Sequence, residues 1–175
     1  DAGFTSPLYT QNYLLAVAQQ PDGKLLIGGS ALFDTATNPG PYPHVLRLLP
    51  DGTVDPTFQQ SLDQSGVVSD LRVQANGDIM VAGFFLTLGG QPRGSVARLR
   101  STGALDTGFA SATGAGTQNY VAVLLPLPGG SYLTGGYYTT FDNQPSPGLT
   151  RLLPGGQRDP SFAPVLTSAA GTSAL

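Results

Sequence analysis

Short apolar runs alternate along the chain with turn-forming residues, and this pattern predicts β-strands. In the first third of the chain the apolar runs fall at 13–19, 24–30, 44–49 and 53–58. Pro-Asp-Gly separates the first two runs and also the last two. Asp-Gly between apolar runs indicates a hairpin, because both residues tolerate the positive φ of tight turns. The segment is therefore predicted to form four short antiparallel strands.

The same arrangement returns further along the chain. Four stretches of the form Asp-x-x-Phe occur, at Asp1–Phe4, Asp55–Phe58, Asp106–Phe109 and Asp159–Phe162. An arginine stands eight residues before each of the last three aspartates, at Arg47, Arg98 and Arg151. We therefore predict three units of about 50 residues, at 13–58, 67–109 and 120–162. Residues 1–12, with a partial strand, would end a preceding unit, and residues 163–175 would be a tail or the start of a further unit.

The strands within each unit are apolar on both sides. The run at 14–18 is Leu-Leu-Ala-Val-Ala, and the run at 121–127 has only apolar residues. Runs of this kind are typical of a sheet that is covered on both faces. Repeated four-stranded antiparallel units with two buried faces describe β-propeller blades. The predicted fold class is therefore all-β, with propeller-type blades; a β-sandwich is the alternative, although it does not explain the repeat.

The repeated motif resembles the delta-60 repeat, a propeller-like repeat of bacterial, often surface-associated proteins. The resemblance is carried by Pro-Asp-Gly-Lys with a glycine pair, followed by Arg-Leu and Asp-Pro-x-Phe. The matching segments are Pro21–Gly29 with Arg47–Phe58, Ala75–Gly83 with Arg98–Phe109, and Pro128–Gly136 with Arg151–Phe162. The resemblance implies a fold and an extracellular or cell-surface location. It implies no catalytic residues and no cofactor.

Composition narrows the classes of partner. The chain has 175 residues, a net charge of −3, 24 glycines and 15 prolines, and its 11 acidic residues are all aspartate. This composition favours turns over helices. Cysteine is absent, which excludes disulfides and thiolate metal sites. We expect no nucleic-acid partner, because the chain has no basic stripe, and no membrane insertion, because no apolar run approaches the roughly 20 residues that a spanning helix needs.

Four features of the sequence suggest a catalytic or ligand-binding site, and each is better explained as structure. Asp51 and Asp55 suggest a calcium loop, but only the second aspartate returns in every unit. Catalytic sites rarely repeat in every blade, so the arginine and aspartate of each unit are predicted to form an ion pair, either between strands or from blade to blade. The phenylalanine that ends each unit is predicted to fill the space between neighbouring blades.

The glycine pairs and the single histidine are also better explained as structure than as a functional site. The pairs at 28–29 and 135–136 lack the spacing of a phosphate loop and are predicted to mark a bulge or a close backbone approach. His44 has no visible nucleophile or acid–base partner in the sequence. We therefore predict that the protein is not an enzyme.

Long loops and the ends of the chain are the remaining candidates for function. The connections between the second and third strands and those between units are long, and both lie at one end of a four-stranded meander. Binding residues tend to lie on such loops, and this end is predicted to offer a glycan or a protein the aromatic side chains of Phe33, Tyr42, Phe85, Tyr138 and Phe141.

Three blades should not close a ring, since propellers have roughly 4–8. We therefore predict that the chain associates with copies of itself, in a ring or a fibre, or with neighbouring repeats of a longer chain. In that arrangement Asp1 and Phe4 would complete a blade across the junction.

Overall fold

The computed structural model describes residues 13–30, 43–60, 62, 66–109 and 120–164. These residues form antiparallel sheets and contain no α-helix, which confirms the all-β prediction. Within the described ranges, no helix is long and apolar enough to cross a bilayer.

Each repeat forms its own sheet. The strands of the first unit are β1 (Leu14–Gln19), β2 (Leu25–Gly29), β3 (Val45–Leu48) and β4 (Val54–Gln60), paired in that order. The second unit contains β5 (Val67–Val73), β6 (Ile79–Phe84), β7 (Thr87–Leu88), β8 (Gln91–Pro92) and β9 (Val96–Leu99). The third contains β10 (Tyr120–Pro126), β11 (Tyr132–Tyr137), β12 (Thr140–Phe141), β13 (Gln144–Pro145) and β14 (Leu149–Leu152).

The fourth strand is complete only in the first unit. In the other two units the main sheet has three strands, β5-β6-β9 and β10-β11-β14. The fourth strand is reduced to single bridges, between Leu99 and Leu105 and between Leu152 and Arg158. The chain turns directly afterwards, because the N–H of the final phenylalanine bonds back to the carbonyl of the Asp in the Asp-x-x-Phe motif. The prediction of four strands in every unit is therefore wrong for the second and third.

The long connections of the second and third units contain small hairpins, β7-β8 and β12-β13. Each hairpin turns through two residues with positive φ, Gly89-Gly90 and Asp142-Asn143. This is the geometry of a type I′ turn, and Gly, Asn and Asp tolerate it best. These connections are thus ordered extensions of the blades rather than loops without structure.

The sheets stack through two apolar layers. Residues of the second unit alternate between them, since Ile79 and Val81 pack toward the first unit while Met80 and Ala82 pack toward the third. The first strands of successive units also lie against each other, β1 on β5 and β5 on β10. The two-sided burial that was predicted from continuous apolar runs is therefore present in the sheet of the second unit, where it joins the three units. The runs at 14–18 and 121–127 lie in the outer sheets and keep exposed residues, so for them the prediction is wrong.

Candidate functional site

The aromatic residues at the long-loop end differ from those that the sequence predicted. Phe85, Tyr138 and Phe141 are buried in the apolar layers, and the Tyr138 ring packs edge-on against Phe141. Burial raises the pKa of Tyr138, whose hydroxyl donates to the Thr134 carbonyl at 2.8 Å. These three side chains hold the hairpin connections to the core and offer no surface to a ligand. Phe33 and Tyr42 lie outside the described residues.

The preceding member of each aromatic pair faces outward instead. Neighbouring residues of a strand point to opposite sides, so burial of Phe85 and Tyr138 turns Phe84 and Tyr137 away from the core. Tyr137 is 57% exposed and stacks on Tyr120 with ring centroids 6.3 Å apart. Both aromatic pairs are visible in the sequence, but which member of each pair faces the core is not.

Phe84 and Tyr120, the stacking partner of Tyr137, border an open cavity of about 480 Å³, whose other lining residues are Tyr13, Leu15, Ser30 and Val67. The lining comes from all three units, where the first strands begin and the second strands end. This is the end from which the long connections leave, as predicted. We refer to Tyr13, Phe84, Tyr120 and Tyr137 as the aromatic end.

The arginine, aspartate and phenylalanine of each unit form one cluster, which we call the repeat triad. In the first unit the Nε of Arg47 donates to Asp55 at 2.9 Å, and its guanidinium carbon lies 4.6 Å from the centre of the Phe58 ring. The other two triads have the same arrangement, with Nε–carboxylate distances of 2.7 Å and guanidinium–ring distances of 4.9 and 5.1 Å. The triad therefore joins the third strand to the end of the unit.

The triad also reaches into the following unit. Nη1 of Arg47 donates to the Ser101 carbonyl at 2.8 Å, and Nη1 of Arg98 donates to the Pro154 carbonyl at 2.9 Å. Both carbonyls stand at the start of the third-to-fourth strand turn of the next unit. Within the described part of the chain, no corresponding bond is found for Arg151. Two of the three arginines thus connect consecutive units, whereas Arg151 binds only within its own.

The closing phenylalanines of the first two units are each seated on a glycine of the following unit. A Cβ added to Gly103 would lie 2.6 Å from the Phe58 ring, and one added to Gly156 would lie 2.8 Å from the Phe109 ring. Both glycines have positive φ and belong to the turn that accepts the arginine bond. The turn pattern in the sequence identifies these glycines as turn residues, but nothing in it indicates that they seat the phenylalanine rings.

The aspartates of the triads are held in their ionised form. The Thr57 hydroxyl and backbone N–H, together with Arg47, lower the pKa of Asp55 to about 2, although burial opposes ionisation. The Ser161 hydroxyl lowers the pKa of Asp159 in the same way. The second unit has Gly108 at this position, and there Arg100 binds the second oxygen of Asp106 at 2.8 Å. A permanent negative charge is therefore available to the arginine in every unit.

The glycine pairs mark a close backbone approach. A Cβ on Gly29, Gly83 or Gly136 would lie 1.9, 1.9 or 2.1 Å from a carbonyl oxygen of the adjoining first strand. The first strand of every unit carries a register shift at this point. No side chain fits between the two strands there, which explains why glycine returns at this position in all three units.

The other candidate residues have local structural contacts. Asp51 accepts hydrogen bonds from the Thr53 N–H and hydroxyl, which stabilises the turn. His44 is buried, and its Nδ1 accepts a bond from the Leu62 N–H at 3.2 Å. Across the described ranges, no group of three or more His, Asp, Glu or Cys side chains is placed to hold a metal ion.

Each outer sheet keeps exposed apolar residues on the side away from the second unit; on the first sheet they are confined to β1, because Ile27, Leu46 and Leu48 on the same side are buried. On the first unit, Leu14 is 43% and Val17 is 59% exposed, whereas the residues at the same register in the other units, Val68, Leu71, Val121 and Leu124, are at most 2% exposed. We call Leu14 and Val17 the head face. On the third unit, Leu125 is exposed and the following residues are half-buried: Val123, Leu133, Leu149 and Phe162. We call these five residues the tail face.

The tail face and the head face correspond to the two sides of the interfaces that join the units inside the chain. Residues equivalent to the tail face in the first two units, such as Leu26, Val45, Phe58, Met80 and Phe109, are at most 1% exposed because the next unit covers them.

Asp1 and Phe4, which were predicted to take part in assembly, lie outside the described residues.

Comparison with known proteins gives a family match and a similar solved structure. A crystal structure of a protein of unknown function from Bacteroides caccae is similar, with 19% identity and a TM-score of 0.49. The alignment covers 82% of this chain and 48% of that one, so this chain spans about half the length of its structural relative. A search of curated proteins found no match. The family described as "Domain of unknown function (DUF5122) beta-propeller" matches residues 20–58, 74–109 and 128–162. These three segments are the three repeats, and the chain belongs to the DUF5122 beta-propeller family.

Proposed function

We propose that the chain is a non-catalytic structural or adhesive module of a bacterial surface or secreted protein, which works by packing its open blade faces against further repeats. The observation that carries this proposal is the pair of unmatched faces. Each is apolar, and each has buried counterparts inside the same chain. Such faces mark interfaces, and in repeat proteins much of the stability comes from contacts between neighbouring units.

An extended chain tests this proposal. A second copy of residues 59–109, placed after Phe162, would present to the tail face the same surface that the second unit presents to the first. We expect the free energy of unfolding to rise by roughly 3 kcal/mol or more, because several half-buried apolar side chains become buried. Chemical denaturation followed by circular dichroism measures the change.

The matched control is the same extended chain with Gly103→Leu in the appended copy only. This substitution fills the seat that would receive the Phe162 ring, and most of the gain should disappear. An appended unit that unfolds independently, with no change in the stability of the remainder, would contradict the proposal.

A second candidate function is ligand binding at the aromatic end, to a glycan or a protein. It is supported by the open cavity and by the stacked rings of Tyr120 and Tyr137, of which Tyr137 is 57% exposed. Tyrosine presents a large apolar face together with a polar hydroxyl, a combination that suits sugars and protein contacts.

For this second function, screening on a glycan array and against surface proteins should yield a ligand whose affinity falls about tenfold with Tyr120→Ala, a loss of roughly 1.4 kcal/mol. Leu153→Ala is the control, because Leu153 is an exposed apolar residue in a turn at the opposite end of the third unit. Equal loss in both variants, or no ligand in either screen, would remove this candidate.

A further inference from the structure

The tail face carries the same contact groups that join the units inside the chain. Leu133 occupies the register of Leu26 and Met80, both of which are fully buried in the apolar layers. Phe162 occupies the position of Phe58 and Phe109, whose rings are seated on a glycine of the next unit. Arg151 repeats the triad geometry, with Nη2 2.7 Å from Asp159. The third unit is therefore built to contact a following unit in the same way as the first two.

The head face carries the residues that form the opposite side of such a contact between units. Inside the chain, a Cβ on Gly28 would lie 2.5 Å from Val68 and 3.1 Å from Leu71, so the second strand of one unit touches the first strand of the next. Gly135 stands at the register of Gly28, and Leu14 and Val17 stand at the registers of Val68 and Leu71. The surface of β11 that faces outward thus matches the exposed side of β1.

We propose that copies of this chain join head to tail, with the tail face of one copy packed against the head face of the next. This inference rests on the proposed function and names the occupant of the open faces as a second copy. Val17 and Leu14 of one copy contact the β11 strand of its neighbour near Leu133 and Gly135. Arg151 then donates through Nη1 to the Pro50 carbonyl of the neighbouring copy, which is the counterpart of the Ser101 and Pro154 carbonyls.

Several observations favour a second copy as the occupant. Four of the exposed large apolar residues, Tyr13, Leu14, Leu15 and Val17, fall in a single stretch of five residues at the head. Ile27, Leu46 and Leu48, which lie further out on the same sheet, are already buried, so the open part of this side is the β1 strand itself. Contact between first strands is a feature of both internal interfaces. The junction between copies therefore repeats the first-strand part of an interface that the chain forms twice.

The proposed junction is heterologous, since two different surfaces meet, and this gives a directional test. Val17→Asp places a charge on the head face, and Leu133→Asp places one on the tail face. By light scattering after gel filtration, the native chain should form particles of two or more chains, each chain contributing 18.0 kDa. Each variant alone should run as a single chain, because every junction would bury an unpaired carboxylate.

Mixing the two variants in equal amounts should restore one junction for each pair. The intact tail of Val17→Asp can still contact the intact head of Leu133→Asp, so a particle of twice the single-chain mass is expected and nothing larger. Circular dichroism and thermal unfolding of each variant show that the fold is retained. Leu86→Asp is the control; it places the same charge on a leucine of similar exposure between β6 and β7 and should assemble like the native chain.

Three results would overturn the head-to-tail junction: a native chain that is monomeric at its solubility limit, single variants that still assemble, or a mixture that stays at the single-chain mass. If the native chain is monomeric but the extended four-unit chain is stabilised, the tail face accepts a further repeat in the same chain. In that case the proposed function stands, and only the proposal of a second copy as the occupant is wrong. If both experiments fail, the proposed function falls with the junction.

Discussion

Replacing Gly83 with alanine should destabilise the protein by at least about 3 kcal/mol, one of the two largest effects that we expect from a single substitution. The new Cβ would lie 1.9 Å from the Val67 carbonyl oxygen and 2.9 Å from its carbonyl carbon. These are backbone atoms of β5, so no side-chain rotation relieves the contact. The strands β5 and β6 would have to separate where they pair, between the two apolar layers. Thermal unfolding should show a melting temperature lower by roughly 6–12 °C.

Gly23→Ala is the matched control for this substitution. Gly23 has a φ of +85°, and a Cβ there would meet nothing within 4 Å. Its replacement therefore measures only the cost of placing alanine in the left-handed region, about 1–2 kcal/mol. Gly83 has no such φ, so its replacement measures the close approach alone. Equal melting temperatures for the two variants would contradict a steric role for Gly83.

The repeated glycines and triads were accessible from the sequence because they depend on local chemistry. Gly23, Gly52, Gly77 and Gly103 all have the positive φ that the turn pattern predicted. The turns are nevertheless one residue longer than two-residue hairpin turns. The N–H of Gly23, for example, bonds to the Gln20 carbonyl and the N–H of Gln20 to the Lys24 carbonyl, so only the glycine needs positive φ. The position of the turn and the conformation of its glycine were therefore predicted, whereas the positive φ expected of the aspartate is not found at Asp22.

The sequence predicted the wrong member of two aromatic pairs as the exposed one, and the reason is physical. Side chains alternate along a strand, so an error of one residue in phase exchanges the buried and exposed members of a pair. Phe84-Phe85 and Tyr137-Tyr138 each offer two equal choices, and the sequence alone does not select one. The cavity contact of Phe84 and the burial of Tyr138 show which choice the structure makes.

The prediction that the closing phenylalanine lies between blades is confirmed for Phe58 and Phe109, but the residues that it contacts in the next unit were beyond sequence reasoning for a different reason. The distance along the chain from Phe58 to Gly103, or from Arg47 to Ser101, carries no information on their separation in space. Only the stacking of the sheets brings each pair together. The repeat nevertheless contained a signal, since a phenylalanine and a turn glycine recur in every unit. Each needs a partner of constant shape, and each partner lies in the neighbouring unit.

Arg47→Ala should lower the free energy of unfolding by about 3 kcal/mol. Both side chains of the Arg47–Asp55 pair are only 9% exposed, so the substitution leaves a buried carboxylate without its counter-ion. It also removes the donor to the Ser101 carbonyl and the cation that covers the Phe58 ring. The Thr57 bonds to Asp55 remain, which keeps the expected loss at the lower end of the range for broken buried pairs. Chemical denaturation of the native and variant chains measures the difference.

Arg151→Ala separates the contribution of the contact between units from that of the contact within a unit. Arg151 has the same aspartate and phenylalanine partners as Arg47, but its side chain is 34% exposed and, among the described residues, it has no bond to another unit. Its loss should cost no more than about 1 kcal/mol, as for other exposed pairs. An equal loss for both arginines would mean that the triad acts only within its own blade. A larger loss for Arg47 would assign the difference to its burial and to the bond that crosses to the second unit, and would make the repeated arginine the residue that couples one blade to the next.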